Sequence, residues 1–207
     1  MPTNEREGSC FMKIRTLFLT LLALFLLSPA SWAAQYNLDQ AHTTVGFKIK
    51  HLISWVQGSF NEFEGSFNYD PNHPETWSVE ATIKTASIDT GNEKRDNHLR
   101  TKDFFDAETY PVITFKSTGV SDVTPTGAQL SGILSMHGVE KPVTLNLEIL
   151  GIAHDPWGNT LSAFTATTQI NRKDFGLNWN EVLDNGGLLV GEEVLITLEV
   201  SGLEVKG

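Results

Sequence analysis

From Gln40 onward, apolar and polar residues alternate with a period of two. Val45, Phe47 and Ile49 share one parity, with Thr44, Gly46, Lys48 and Lys50 on the other. Phe63, Phe67 and Tyr69 repeat the pattern after Gly58, and Gly65 is expected to mark a bend or bulge between them. Trp77, Val79, Ala81 and Ile83 form a third set, and Ile113 with Phe115 a fourth. The series continues through Leu130 to Met136, Val143 to Ile149, Phe164 to Ile170 and Val194 to Val200. Strand side chains point to alternate faces, so each run has one buried face and one wet face. The pattern predicts eight strands.

Turn residues separate them: Asp70-Pro71-Asn72, Pro125-Thr126-Gly127, His137-Gly138 and Asp155-Pro156-Trp157-Gly158-Asn159. Short antiparallel links suit a meander. Eight strands close into a barrel with room for side chains or one slender ligand. A two-sheet sandwich would give the same alternation, and the pattern alone does not separate the two. Two stretches break the period. Residues 91–108 are densely charged, and Asn92 and Thr101 are placed to open two short helical turns. Residues 171–189 form a second irregular excursion. Both are candidates for a cap or mouth.

The N-terminal segment is expected to lie outside the fold. Lys13 and Arg15 precede an apolar run from Leu17 to Leu27, and small residues follow at Ser31 and Ala33. This is the layout of a secretory signal over residues 1–33, cleaved after Ala33, with its better start at Met12 because Glu5 and Glu7 put acid into the basic region. The apolar run falls short of the about 20 residues that span a bilayer, so no stable membrane anchor is expected. The one cysteine, Cys10, precedes that run. A domain from Ala34 to Gly207 then holds no disulfide, and an acidic, cysteine-free exported domain suits a periplasm.

Composition removes several functions. A net charge of −10 and a pI near 5.0 argue against binding nucleic acid through its phosphates. The chain has no Gly-x-Ser-x-Gly elbow and no Gly-rich phosphate loop, so no nucleotide cofactor is expected. The six histidines are scattered without a metal-ligand spacing, and no metal site is assigned.

Arg95-Asp96-Asn97-His98-Leu99-Arg100 is the densest charged constellation. Arg95, His98 and Arg100 read either as a rim that holds a ligand headgroup or as a network that pins the insertion to the barrel, with Asp96 and Asp103 as partners. The inward parity is rich in phenylalanine. Val45, Phe47, Phe63, Phe67, Ile83, Phe115 and Phe164 either fill the barrel or line an apolar tunnel, with small residues such as Ala81, Gly132 and Ala166 leaving room.

Several elements occur together in order: His42-Thr43-Thr44-Val45-Gly46-Phe47, Ser87-Ile88-Asp89-Thr90, Arg95-Asp96-x-His98-Leu99-Arg100, Tyr110-Pro111-x-Ile113-x-Phe115, and Ile170-Asn171-Arg172-Lys173-Asp174-Phe175-Gly176. Over about residues 36–203 the chain resembles the YceI family of periplasmic polyisoprenoid-binding proteins. The resemblance implies an all-β, extended eight-stranded antiparallel lipocalin-like barrel with short helical insertions, whose apolar pore holds an isoprenoid or similar long-chain lipid. The expected function is therefore a non-enzymatic lipid carrier. Two alternatives stand beside it: an enzyme acting on a lipid or quinone headgroup, and a ligand-free stress-related module filled by its own side chains.

Overall fold

The computed structural model describes residues 33–182 and 189–206; the expected signal segment and Asp184-Asn185-Gly186-Gly187 lie outside them. Among the described residues the chain forms eleven strands, one α-helix and three 3-10 turns. The strands are β1 (Ala34–Leu38), β2 (Thr44–His51), β3 (Ser54–Phe60), β4 (Phe63–Tyr69), β5 (Ser78–Lys84) and β6 (Ile88–Asp89), then β7 (Val112–Thr124), β8 (Gly127–Met136), β9 (Val139–His154), β10 (Thr160–Asn171) and β11 (Val190–Glu204). All pairings are antiparallel, and β1 pairs with both β4 and β11, which closes the sheet.

The eleven strands occupy eight barrel positions. β1 and β2 both lie along β11, one after the other, broken at residues 39–43. β4 and β3 pair with β1 and β2 in turn, broken at residues 61–62. β5 and β6 pair with β4 and β3, and a 3-10 turn at Thr85–Ser87 divides them. With β7 to β11 unbroken, the result is the closed eight-stranded antiparallel barrel that the family resemblance implies. β9, at sixteen residues, is about 50 Å long at roughly 3.3 Å per residue, so the barrel is elongated.

Two local expectations change. Gly65 sits in unbroken register opposite Ala81, not at a bulge. A side chain there would collide with the backbone of Glu80 and Ala81, so glycine serves close approach of β4 and β5. Gly132 leaves no room in the barrel, because the ring of Phe115 lies over it.

The first insertion carries α1 (Glu93–Leu99), capped by the Asn92 side chain, which accepts from Arg95 N–H at 3.1 Å. The Thr101 segment makes a hydrogen-bonded turn rather than a helix, with Phe104 and Asp106 N–H donating to Thr101 O. The second insertion holds a 3-10 turn at Arg172–Phe175, capped by Asn171 and closed by Gly176 at φ 78. The β8–β9 hairpin meets the second insertion and the segment that follows the first. His137 Nδ1 lies 3.1 Å from Phe175 O, and its ring stands 4.6 Å from that of Tyr110.

Candidate functional site

The inward side chains divide the barrel into two parts. In one half, Tyr36, Phe67, Tyr69, Trp77 and Phe164 are each at most 8% exposed. Their rings interlock. Tyr36 stacks on Phe67 at 5.1 Å, Phe164 stands edge-on to Phe67 at 5.5 Å and to Tyr69 at 4.9 Å, and Tyr69 meets Trp77 at 4.8 Å. Such pairs add stability beyond their burial, and they leave this half filled.

The other half is hollow. It encloses a cavity of about 720 Å³, far larger than the water-sized voids of a packed interior. The strands give it a mainly apolar wall: Val45 and Phe47 from β2, Ile83 and Ile88, Ile113 and Phe115 from β7, Leu134 and Met136 from β8, Val143 from β9, and Ile196 from β11. Phe47, Ile83, Leu134, Val143 and Ile196 face inward yet are only partly buried, because the opposite wall is out of reach.

The seven residues placed inward by parity therefore divide. Val45, Phe47, Ile83 and Phe115 border the cavity. Phe67 and Phe164 belong to the filled half, and Phe63 is 7% exposed but does not border the cavity.

The two insertions roof the hollow end. Leu99, Phe104 and Phe105 border the cavity from the first, and Leu177 and Trp179 from the second. They meet through rings: His98 stands edge-on to Phe104 at 5.1 Å and to Trp179 at 5.2 Å. The charged constellation is mainly built inward on itself. Asp96, 5% exposed, accepts from the N–H and hydroxyl of Thr90, and Arg95 donates to Thr90 Oγ1 and O. Arg100 donates to the carbonyls of Ala86 and Ile88 at 2.7 Å each and to Asn97 Oδ1 at 2.9 Å, which pins α1 to the barrel. His98 Nε2 lies 2.9 Å from Asp103 Oδ2, so it does not pair with Asp96. Arg95 and His98 border the cavity; Arg100 does not. Their spacing explains the split, since 95, 98 and 99 share one helix face and 100 turns away from it.

Several cavity residues were not singled out from the sequence, among them Ile88, Leu134, Val143, Trp179 and one cation. Arg172 is 3% exposed and borders the cavity. Its Nε donates to Gly191 O at 2.8 Å and Nη1 to Leu177 O at 2.5 Å. Burial of the guanidinium lowers its pKa, opposed in part by the charge of Glu192. Parity held the signal: Arg172, the first residue after β10, continues the inward series Phe164, Ala166, Thr168 and Ile170. Among the described residues, no group of three or more His, Cys, Asp or Glu is placed to hold a metal ion.

Comparison with known proteins agrees with this architecture. The model of the YceI-like domain matches residues 36–202. A UPF0312 protein of Vibrio cholerae is 40% identical over 169 residues, covering 80% of this chain and 89% of its own. The crystal structure of a YCEI protein of Campylobacter jejuni is 35% identical with a TM-score of 0.66, covering 82% of this chain and 97% of that one. A structure described as a polyisoprenoid-binding domain from Saccharophagus degradans shares the fold, with a TM-score of 0.59 at 16% identity over 84% of this chain and 99% of that one.

Proposed function

The chain belongs to the YceI-like family, and from that premise we propose that it is a non-enzymatic binding protein that carries a long-chain lipid, isoprenoid in type, in the hollow half of its barrel. The cavity carries this reading: about 720 Å³ walled by aliphatic and aromatic side chains of nine strands and two insertions. Each Å² of apolar chain removed from water contributes roughly 25 cal/mol, so a prenyl or acyl tail is held without strong polar contacts. The description of the Saccharophagus degradans domain as polyisoprenoid-binding supports the isoprenoid choice.

Organic extraction of protein purified without detergent, followed by mass spectrometry, tests the proposal. A co-purifying long-chain lipid near one per chain is expected. A protein that yields none, and takes up none when offered prenyl or acyl chains, would overturn it. The signal-like residues 1–33 add export to the periplasm to this proposal, and an intact mass beginning at Ala34 in a periplasmic fraction checks that part.

A further inference from the structure

The β2–β3 hairpin closes at the hollow end of the barrel through a two-residue turn, Leu52-Ile53, between the paired His51 and Ser54. Such turns ordinarily use glycine, asparagine or aspartate, because a central residue must take a positive φ. The β8–β9 hairpin obeys the rule and places Gly138 at φ 74. Here Leu52 takes φ 54 with a branched apolar side chain, a conformation that costs energy for any residue with a Cβ. Ile53 beside it is 98% exposed, and Leu52 is 46% exposed. Neither residue suits the turn or the solvent.

The apolar surface extends past the turn. Ile49 and its cross-strand partner Val56 border the cavity, so the neighbouring pair Lys50 and Trp55 faces outward, and Trp55 is half exposed. Val182 is exposed as well, and its segment is tied to the apex: Leu52 N–H donates to Leu189 O and Leu189 N–H to Glu181 O, at 3.0 Å each. The hairpin from residue 44 to 60 carries Lys48 and Lys50 and no acid, in a chain with 25 Asp and Glu. Both lysines are exposed, and neither forms an ion pair among the described residues. The cavity reaches the base of the same hairpin, where His51, Val56 and Leu189 border it.

We propose that the β2–β3 hairpin docks the barrel on a lipid bilayer with anionic headgroups. Leu52 and Ile53 enter the acyl region, Trp55 lies at headgroup level, and Lys48 and Lys50 face the lipid phosphates. The inference rests on the carrier reading above for the reason to dock, and adds where a chain enters and leaves. A bilayer fits this surface better than a protein does. The apex offers four apolar side chains on a projecting turn, against about 20 residues a side in a stable protein interface. Indole and lysine settle at a bilayer interface, apolar part inward and polar atom toward water. The net charge of −10 is screened beyond about 8 Å at physiological salt, so the acid-free hairpin decides the attraction. A prenyl chain that leaves the bilayer beside the hairpin meets the cavity at its base.

Flotation of the purified protein with vesicles of equal parts phosphatidylcholine and phosphatidylglycerol tests this. The wild type is expected to float with the vesicles. Leu52→Gly with Ile53→Ser gives the turn its ordinary residues, so it should keep or raise the melting temperature while lowering vesicle partitioning at least about tenfold. Geranylgeraniol should pass from vesicles to this variant more slowly by a similar factor. Lys48→Gln with Lys50→Gln should weaken binding to the mixed vesicles and leave binding to pure phosphatidylcholine unchanged. Trp157→Ser, in the exposed turn at the filled end, should change neither. If the turn variant does not fold, brominated acyl chains decide on the wild type. Quenching that disappears in Trp55→Phe supports docking, and quenching that persists overturns it. Wild-type protein that stays off the vesicles, or partitioning that the turn variant leaves unchanged, also overturns it. So does a dimer that the turn variant abolishes with no vesicle binding in either form. Loss of docking with geranylgeraniol still taken up from solution leaves the carrier reading standing. Docking without uptake sustains this proposal and overturns the carrier.

Discussion

The two halves of the barrel are built from the same strands and the same parity, yet one is a core and the other a container. Phe67 and Phe47 show the difference. Both are inward phenylalanines on neighbouring positions of the sheet, but Phe67 stacks on Tyr36 and meets Phe164, whereas Phe47 meets Phe60 on one side and open space on the other. Across the filled half, Tyr36, Tyr69 and Trp77 bring enough ring volume to meet in the middle. Across the hollow half, Val45, Val143 and Ile196 are aliphatic and too short to do so. Side-chain volume, rather than inward orientation, decides which half admits a ligand. The breaks between β1 and β2 and between β3 and β4 divide the strands that close one half from those that wall the other, whereas β5 reaches both, with Val79 in the filled half and Ile83 at the cavity.

The sharpest way to break this comparison is to truncate one ring in each half. Phe67→Ala should cost about 3–5 kcal/mol in chemical denaturation, the sum of lost transfer energy and a new cavity in packed surroundings. Phe47→Ala should cost only about 1–2 kcal/mol in the delipidated protein, because the space beside it already exists. Equal losses would show that the hollow half is packed in solution.

Added bulk sharpens the same contrast. Phe164→Trp should destabilise by about 1–3 kcal/mol, since the filled half has no slack. Phe47→Trp should change stability by less than about 1 kcal/mol and lower the uptake of long-chain lipid, because the larger ring extends into the cavity. Stability that falls equally in both variants, with lipid uptake untouched, would assign Phe47 to the core.

The smallest effect concerns the orphan polar group of each half. In the filled half, Ser162 is fully buried and its hydroxyl has no partner. Ser162→Ala should be neutral or stabilise by up to about 1 kcal/mol in a thermal melt, because it removes an unpaired group without leaving another. Arg172 at the hollow end is the counterpart, since its Nη2 is likewise buried without a hydrogen-bond partner.

The strands were legible because alternation over Val45 to Ile49, Trp77 to Ile83 and Val194 to Val200 needs no tertiary information, whereas their closure into a barrel, which a sandwich would match in pattern, was implied only by the family resemblance. The breaks were not. β1 buries one aromatic ring, Tyr36, in five residues, too short a run for a period to show. The hairpin of β2 and β3 keeps its parity up to the break, so nothing in the pattern marks it. The division into halves was also hidden, since parity reports direction and not the distance to the opposite wall. Phe63, Phe67 and Phe164 carried the same signal as Phe47 and Phe115 for that reason. Arg95 and Arg100 looked alike in sequence, and only the helix turn separates the one that borders the cavity from the one that grips Ala86 and Ile88. Arg172 carried the right parity but stood at the end of a strand, where charge is ordinary and a buried cation is not anticipated.

The central claim is that an apolar chain occupies the hollow half and is excluded from the filled one. Intermolecular nuclear Overhauser effects between a bound prenyl chain and methyl-labelled protein test it directly. The account predicts contacts from chain protons to the methyls of Ile88, Leu134, Val143 and Ile196, with none to Ala128 or Val200 in the filled half. Contacts to Ala128 and Val200, or a bound chain that touches only the outer surface, would contradict it.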